Sequence, residues 1–205
     1  MTIFVEGGNR GALNTECRRG FRALIEKALP AGCRLRFDVR PCGSRTAAFD
    51  NFRLALESGD TEVILLVDGE DVITNLDAET KLTRDPWQHF ISRGETWHRP
   101  ARAINPQVHL MAVSMETWLV ADAARLAAYY GQGFQASALP THAQLEKVDK
   151  ATLTQSLARA TRNTTKGEYS KGSHSFNILA TLNPAVVEQR SPHAKRFFDF
   201  LRTHC

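Results

Sequence analysis

The stretch Glu62–Val72, EVILLVDGEDV, contains the most hydrophobic run of the chain and ends in three acidic residues. Five consecutive apolar side chains, from Val63 to Val67, are typical of a strand that is covered on both faces of a sheet. Acids and a glycine follow without a spacer, from Asp68 to Asp71. The sequence therefore predicts a buried central strand whose carboxyl end is rich in carboxylates.

Two strand–helix units precede this central strand. TIFVEG at residues 2–7 contains another uninterrupted apolar run, Ile3 to Val5, and residues 33–42 alternate apolar with charged side chains, as half-buried strands do. Apolar residues recur at helical spacing over residues 14–29 and again over residues 44–60. The order strand, helix, strand, helix, strand predicts parallel strands joined by crossover helices.

The remainder of the chain contains one further predicted strand and several helices. The strand covers residues 107–114, and a single helix follows it over residues 115–130. Helical patterns then return over residues 141–148, 150–161 and 191–203. The predicted sheet therefore has four strands, and the C-terminal part of the chain is predicted to be helical.

These elements predict a Rossmann-like α/β protein with a mostly parallel sheet of about four strands flanked by helices. The predicted core covers residues 1–130 and includes an irregular insertion at residues 69–106. A helical extension over residues 131–205 is expected to pack on that core. The length of 205 residues and the hydrophobic fraction of 42% suit one domain with such an extension.

The composition is that of an ordinary globular protein with a mild basic excess. The formal net charge is +4, from 26 Lys and Arg against 22 Asp and Glu, which suits a polyanionic partner without demonstrating one. The N-terminus lacks a signal-peptide pattern, and the sequence has no run of about 20 apolar residues to span a membrane. Four cysteines without a CxxC pair argue against structural zinc and predict free thiols in a reducing compartment. We therefore predict a cytoplasmic protein.

Acidic residues follow three of the four predicted strands. Glu6 follows the first strand, the group Asp68, Glu70 and Asp71 follows the third, and Glu116 or Asp122 follows the fourth. The carboxyl ends of parallel strands share one edge of the sheet, where ligands of such folds bind. Carboxylates gathered there repel one another unless a cation binds between them, and hard oxygen ligands favour Mg²⁺ or Mn²⁺. A turn or a helix cap explains each acid alone, whereas their convergence favours a metal site.

Two of these strand ends resemble the motifs of a TOPRIM domain. FVEGG at residues 4–8 is similar to the first motif, a Glu at the end of the first strand. LLVDGED at residues 65–71 is similar to the second motif, an Asp-x-Asp at the end of the third strand. The pattern here is D-x-E followed by Asp71, so Glu70 and Asp71 are both candidates for the second acid.

Seven short motifs extend the resemblance over nearly the whole chain. In their order they resemble the TOPRIM-like domain-of-unknown-function family numbered four-two-seven-six, which is similar to RloB-like and overcoming-lysogenization-defect-type TOPRIM proteins of bacterial defence loci. The resemblance implies a nuclease that acts on DNA or RNA, requires Mg²⁺ or Mn²⁺, and works with an ATPase of the AAA or ABC/SMC type. The motifs are VEGG, RPCGSR, LLVDGED, METWLVAD, LEKVDK, YSKGSHSF and SPHAKRFFDFL.

The resemblance also implies roles for individual residues. Glu6 would bind the metal or act as general base toward the attacking water, and Asp68 would be a metal ligand. Glu116 would bind a second metal, or it is a first-turn acid that stabilises the helix dipole. Lys171 is similar to the lysine that some TOPRIM nucleases present to the scissile phosphate, and His174 would protonate the leaving oxygen or contact phosphate. The alternative for Lys171 and His174 is a solvated basic loop.

CGSR at residues 42–45 is a candidate for a second phosphate contact. It lies at the end of the second predicted strand and opens a helix, so its amides and the Arg45 guanidinium would form an anion pocket. An ordinary strand-to-helix turn explains the same residues.

A nuclease competes with two other functions. One is a non-catalytic defence module, in which the TOPRIM-like fold binds an ATPase without turnover, and the departure from Asp-x-Asp favours it. The other is phosphotransfer on a nucleotide, which no glycine-rich Walker loop in the sequence supports.

Overall fold

The computed structural model describes residues 1–8 and 11–205. Within these residues, four parallel strands form one sheet in the order β2-β1-β3-β4. The predicted α/β fold with a parallel sheet flanked by helices, and with helices at the C-terminal end, is therefore confirmed. The strands are β1 (Thr2–Val5), β2 (Asp38–Pro41), β3 (Val63–Asp68) and β4 (Val108–Met111).

Helices cover both faces of the sheet and most of the C-terminal part. Short 3-10 turns lie at Asn105–Gln107, Ala136–Ala138 and Leu145–Lys147. The α-helices are α1 (Gly11–Ala28), α2 (Arg45–Glu57), α3 (Pro86–Ser92), α4 (Met115–Ala121), α5 (Ala123–Tyr130), α6 (Lys150–Thr161), α7 (Ser175–Leu179), α8 (Pro184–Arg190) and α9 (Pro192–Arg202).

The apolar strands bury alternate side chains on opposite faces of the sheet. Val5 and Leu66 lie in a cluster with α1 and the C-terminal helices. Phe4 and Leu65 lie in a second cluster with α2, α3 and the aromatic residues of the insertion. Successive strand residues point to opposite faces, so a strand with both faces covered must be apolar throughout. This is why the buried residues of these strands, IFV at residues 3–5 and VILLV at residues 63–67, are all apolar.

The C-terminal helices are part of the main hydrophobic cluster. Leu153 and Leu157 of α6 and Phe197 of α9 are fully buried in the same cluster as Val5 of the sheet. The helices after residue 130 therefore pack on the sheet through side chains that cover its α1 face. The predicted boundary at residue 130 stays a prediction.

The structure differs from the local predictions in several places. The second strand is shorter than residues 33–42, since only Asp38–Pro41 pairs with β1. The insertion at residues 69–106 is not wholly irregular, because Asp85 caps the short helix α3. The helix predicted over residues 141–148 is only a 3-10 turn.

The helix predicted over residues 115–130 is divided into α4 and α5 at Asp122. The Asp122 carboxylate accepts hydrogen bonds from the backbone N–H of Arg125 at 3.1 Å and of Asn183 at 2.9 Å. A capping aspartate has a non-helical backbone, so it ends one helix while it begins the next. Apolar periodicity continues through the break, so the sequence pattern did not reveal it.

The prediction of four free thiols is wrong for two of the cysteines. Cys33, after α1, forms a disulfide with Cys205, and 172 residues separate them in sequence. Cys17 is a buried free thiol and Cys42 a partly exposed one. No local spacing pattern joins cysteines so far apart, and disulfides are typical of oxidising compartments. The inference of a reducing compartment therefore loses its support from cysteine usage, and a cytoplasmic location stays a prediction.

In the part of the chain that the structure describes, no helix combines the length and the apolarity that crossing a membrane requires.

Candidate metal centre

The sheet order brings Glu6 and Asp68 together. In a parallel sheet with the order 2-1-3-4, the crossover direction reverses between β1 and β3, and ligands bind at the carboxyl ends of the strands beside that point. Glu6 directly follows β1, and Asp68 is the last residue of β3. The backbone N–H of Asp68 donates to the Glu6 carboxylate at 3.3 Å. The predicted convergence of these two strand ends is thus present.

Glu70 is the third acid at this point. One carboxylate oxygen each of Glu6, Asp68 and Glu70 lies within 4.8 Å of the other two. We call these three residues the acid triad. Glu70 has a φ of 69°, a left-handed conformation that costs a non-glycine residue on the order of 1–3 kcal/mol. Its backbone N–H donates to the Val113 carbonyl oxygen at 2.7 Å, which helps to hold this conformation.

Asp71 has a different environment from Glu70. Its carboxylate pairs with Arg93, and its side chain is 69% exposed. Of the two candidates for the second acid of the motif, the structure therefore brings Glu70 and not Asp71 into the triad.

Glu116 lies beside the triad and has one carboxylate oxygen without a partner. It is 2% exposed and is located in the first turn of α4. Its Oε1 accepts a hydrogen bond from the Tyr169 hydroxyl at 2.9 Å and lies 3.9 Å from Lys171 Nζ. Its Oε2 is buried and has no hydrogen-bond partner among the described residues. A buried oxygen of this kind is costly unless a cation or a donor satisfies it.

Two lysines contact the acids of the site. Lys171 Nζ lies 3.2 Å from Asp68 Oδ2. Lys150, the first residue of α6, places its Nζ 2.6 Å from Glu70 Oε1 and 3.5 Å from Asp68 Oδ2. The other oxygen of Asp68, Oδ1, accepts a hydrogen bond from the backbone N–H of Met115 at 2.8 Å. The C-terminal extension thus contributes positive charge to a site whose acids come from the core.

Burial and mutual repulsion shift the ionisation of the acids and the amines. Burial, and then the charge of Asp68, raise the pKa of Glu6 from its ordinary value of 4.5 to about 7. Burial raises the pKa of Asp68 as well, although Lys171 opposes that shift. Burial alone would lower the pKa of the Lys171 ammonium group, but the negative charges of Asp68, Glu116 and Glu6 together raise it. Burial tends to raise the pKa of Glu70, but the hydrogen bond from Lys150 and the positive charges of Lys150, Arg45 and Lys171 together lower it.

Arg45 lies beside the site but is bound to the protein. Its Nε donates to the Asp68 carbonyl oxygen at 2.9 Å, and its Nη1 donates to Glu95 at 2.6 Å. The guanidinium also lies over the Trp97 ring, 4.9 Å from the ring centroid. Arg45 was predicted as a phosphate ligand, and the structure instead shows it fixing the end of β3. Any role in phosphate binding stays a prediction.

His174 contacts aromatic residues rather than the acids. Its Nδ1 is 3.1 Å from the Tyr130 hydroxyl and accepts from the backbone N–H of Ser170 at 3.3 Å. Burial lowers the pKa of His174. The structure therefore brings Glu6, Asp68, Glu70, Glu116 and Lys171 together, and it places His174 against Tyr130.

Sequence reasoning missed three residues of this site. Lys150 lies in the LEKVDK motif and Tyr169 in the YSKGSHSF motif with Lys171, but neither was assigned a role. Glu95, the partner of Arg45, lies in the insertion without a recognisable motif. A lysine at the first position of a helix is unfavourable for the helix dipole, and this was the one available signal for Lys150.

The residues of the site fit a hard divalent cation. The acid triad would hold such an ion, since it presents only carboxylate oxygens, which Mg²⁺ and Mn²⁺ prefer. The buried Oε2 of Glu116 marks uncompensated negative charge beside the triad. The four carboxylates of Glu6, Asp68, Glu70 and Glu116 also outnumber the three cationic side chains that contact them, Lys150, Lys171 and Arg45, whose Nε lies 3.8 Å from Glu6 Oε2.

Comparison with known proteins identifies a family without a described activity. No match was found among curated proteins, and none among solved structures. The family model described as Domain of unknown function (DUF4276) matches residues 5–202, which is nearly the whole chain. The protein therefore belongs to the family of that domain of unknown function, DUF4276.

Proposed function

We propose that this protein is a Mg²⁺- or Mn²⁺-dependent TOPRIM-type nuclease that hydrolyses phosphodiester bonds in DNA or RNA. The observation that supports it most directly is the acid triad, in which Glu6 and Glu70 converge with Asp68 at the carboxyl ends of β1 and β3. The resemblance of VEGG and LLVDGED to the two TOPRIM motifs gives this triad its interpretation as a nuclease centre.

The chemistry follows from the charges around the triad. A bound divalent ion would supply Lewis-acid stabilisation of the phosphate oxygens. Glu6, whose pKa is about 7 in the metal-free site, would bind the ion or accept the proton of the attacking water. Lys171 would contact the phosphate and stabilise the charge that develops on it during the reaction. We assign no step to His174, because its ring is engaged with Tyr130.

The setting of this activity rests on the resemblance alone. Similar TOPRIM proteins accompany ATPases in bacterial defence loci. The proposal therefore includes a role in anti-phage defence, in the cytoplasm, with an ATPase partner of the AAA or ABC/SMC type.

A second candidate function is a non-catalytic module that binds an ATPase. One observation favours it: Lys150 and Lys171 both pair with Asp68, so the protein itself neutralises part of the acid cluster. In that case the site would be a buried ion-pair network that joins the C-terminal extension to the core.

A cleavage assay separates these two functions. The purified chain, with its neighbouring ATPase where one is encoded, should nick plasmid DNA or cut tRNA when Mn²⁺ or Mg²⁺ is added. Chelation with EDTA should stop the reaction, because the triad needs a cation to bring the phosphate close. Absence of metal-dependent cutting on all these substrates, together with an unchanged melting temperature in Mg²⁺ and Mn²⁺, would favour the binding module.

The pH dependence of metal binding provides a second test. Protons and the metal compete for Glu6, so Mg²⁺ affinity should rise as pH increases from about 6 to about 8 and then level off. The pKa of Glu6 is higher in the folded protein than its ordinary value of 4.5, so protonation of Glu6 stabilises the metal-free fold at low pH. This stabilisation is lost as the pH rises through about 7. Isothermal titration calorimetry across this range measures the trend. Glu6→Gln should bind Mg²⁺ more weakly and with a flatter pH profile, and an equally steep profile in this variant would assign the proton to another group.

A further inference from the structure

Lys150 occupies the position between two of the three acids of the triad. Its Nζ contacts both Glu70 Oε1, at 2.6 Å, and Asp68 Oδ2, at 3.5 Å. The same two carboxylates belong to the acid triad that would hold a divalent ion. Lys171 differs in this respect, because its ion pairs are with Asp68 and Glu116 and not with Glu70.

The location of Lys150 favours a role beyond helix docking. It is the first residue of α6, where a positive charge opposes the helix dipole, and Asp149 already caps that end by accepting from the Thr152 N–H. Helix α6 is docked through Leu153 and Leu157, which are fully buried. The fold thus does not need an ammonium group at this position to hold α6 against α4.

The lysine can also leave the acids without disturbing the core. Its side chain is 32% exposed, whereas Asp68 is nearly inaccessible. A lysine carries a compact charge on a flexible four-carbon stem, so a rotamer change would move the ammonium group into solvent or onto a substrate phosphate. The carboxylates would then be available to a metal ion.

We propose that Lys150 sets the metal affinity of the site by competing with the divalent ion for Asp68 and Glu70. This inference rests on the proposed metal-dependent function. The lysine acts as an internal cation that keeps the acids paired until an ion displaces it, and its charge also repels an ion bound beside it. Lys150 is therefore an affinity-setting residue and not a ligand.

Mn²⁺ titration of the full chain tests this competition. Lys150→Met keeps the apolar stem and removes the charge, so it should lower the Mn²⁺ dissociation constant by about tenfold or more in calorimetry at a fixed pH. Lys150→Gln should shift affinity in the same direction, and it serves if the methionine variant is unstable. Lys147→Met is the matched control: this exposed lysine lies three residues earlier, and it should leave Mn²⁺ affinity unchanged.

The outcomes distinguish this inference from the proposed function. If the wild type binds Mn²⁺ and both folded Lys150 variants bind it as tightly as the wild type or more weakly, Lys150 does not compete with the ion. Lys150 would then only orient Glu70. Equal gains in Lys150→Met and Lys147→Met would show a general charge effect and would also overturn the inference. If neither the wild type nor the variants bind Mn²⁺, the metal site itself is wrong, and the proposed function fails with it.

Discussion

Asp68→Asn should reduce metal-dependent cleavage by about a thousandfold or more while the protein stays folded. Asp68 is the central acid of the site: it belongs to the triad and contacts both lysines. An amide carries no negative charge, so the variant loses the attraction for a divalent ion as well as the ion pairs. The measurement is the single-turnover cleavage rate at saturating Mn²⁺, alongside Mn²⁺ binding by calorimetry.

Asparagine is preferable to alanine at this position. Oδ1 of Asp68 accepts the backbone N–H of Met115 at 2.8 Å, in a buried environment. Alanine would leave that N–H without a partner, at a cost of about 1–3 kcal/mol, whereas the asparagine carbonyl oxygen can still accept it. An effect on cleavage would otherwise be confused with an effect on folding.

Asp50→Asn is the matched control for this substitution. It makes the same chemical change on the surface of α2, where the Asp50 side chain is half exposed and lies near Arg53. It should cleave at the wild-type rate. Cleavage by Asp68→Asn at a rate close to that of Asp50→Asn would mean that the triad is not the reaction centre.

The sequence predicted this part of the site because the fold places strand ends by topology. Parallel strands joined by crossovers bring their carboxyl ends to one edge, and Glu6 and Asp68 meet at that edge because β1 and β3 are neighbours in the sheet. The uniform apolar runs of β1 and β3 were sufficient to locate both residues. The choice between Glu70 and Asp71 could not be made from the sequence, because it depends on the left-handed backbone of Glu70, which no apolar pattern encodes.

Site residues that lie far along the chain from the acids were harder to predict. Lys150 reaches Glu70 from α6, and 80 residues separate the two in sequence. Its position depends on how α6 packs against α4, and periodicity gives the apolar face of a helix but not its partner. The same limit applies to the Cys33–Cys205 disulfide and to Arg45, whose contacts with Glu95 and Trp97 depend on the path of the insertion.

Lys171→Met should both slow cleavage, by about a hundredfold or more, and make the metal-free protein less stable. Lys171 pairs with two buried acids, at 3.2 Å from Asp68 and 3.9 Å from Glu116. Removing one partner of a buried ion pair costs about 3–5 kcal/mol. The Lys171 side chain is half exposed and therefore screened by solvent, so we expect a loss of about 1–2 kcal/mol in unfolding free energy.

This loss should depend on pH and on metal in a way that a packing defect would not. Without Lys171 the folded-state pKa of Asp68 rises further, so protonation of the carboxyl becomes easier as pH falls and the destabilisation shrinks toward acidic pH. At alkaline pH the acids are ionised and repel one another, and Mg²⁺ should restore most of the lost stability by replacing the missing positive charge. Urea unfolding at both pH values, with and without Mg²⁺, measures these differences.

Lys166→Met is the control from the same loop between α6 and α7, since Lys166 is exposed and lies over the Tyr129 ring rather than near the acids. It should show neither the pH dependence nor the recovery with Mg²⁺. A loss of stability in Lys171→Met that stays constant with pH and does not respond to Mg²⁺ would mean that Lys171 acts through packing alone. Recovery by Mg²⁺ together with slow cleavage would instead separate two roles of one ammonium group: balancing the acids before the metal binds, and stabilising the phosphate afterwards.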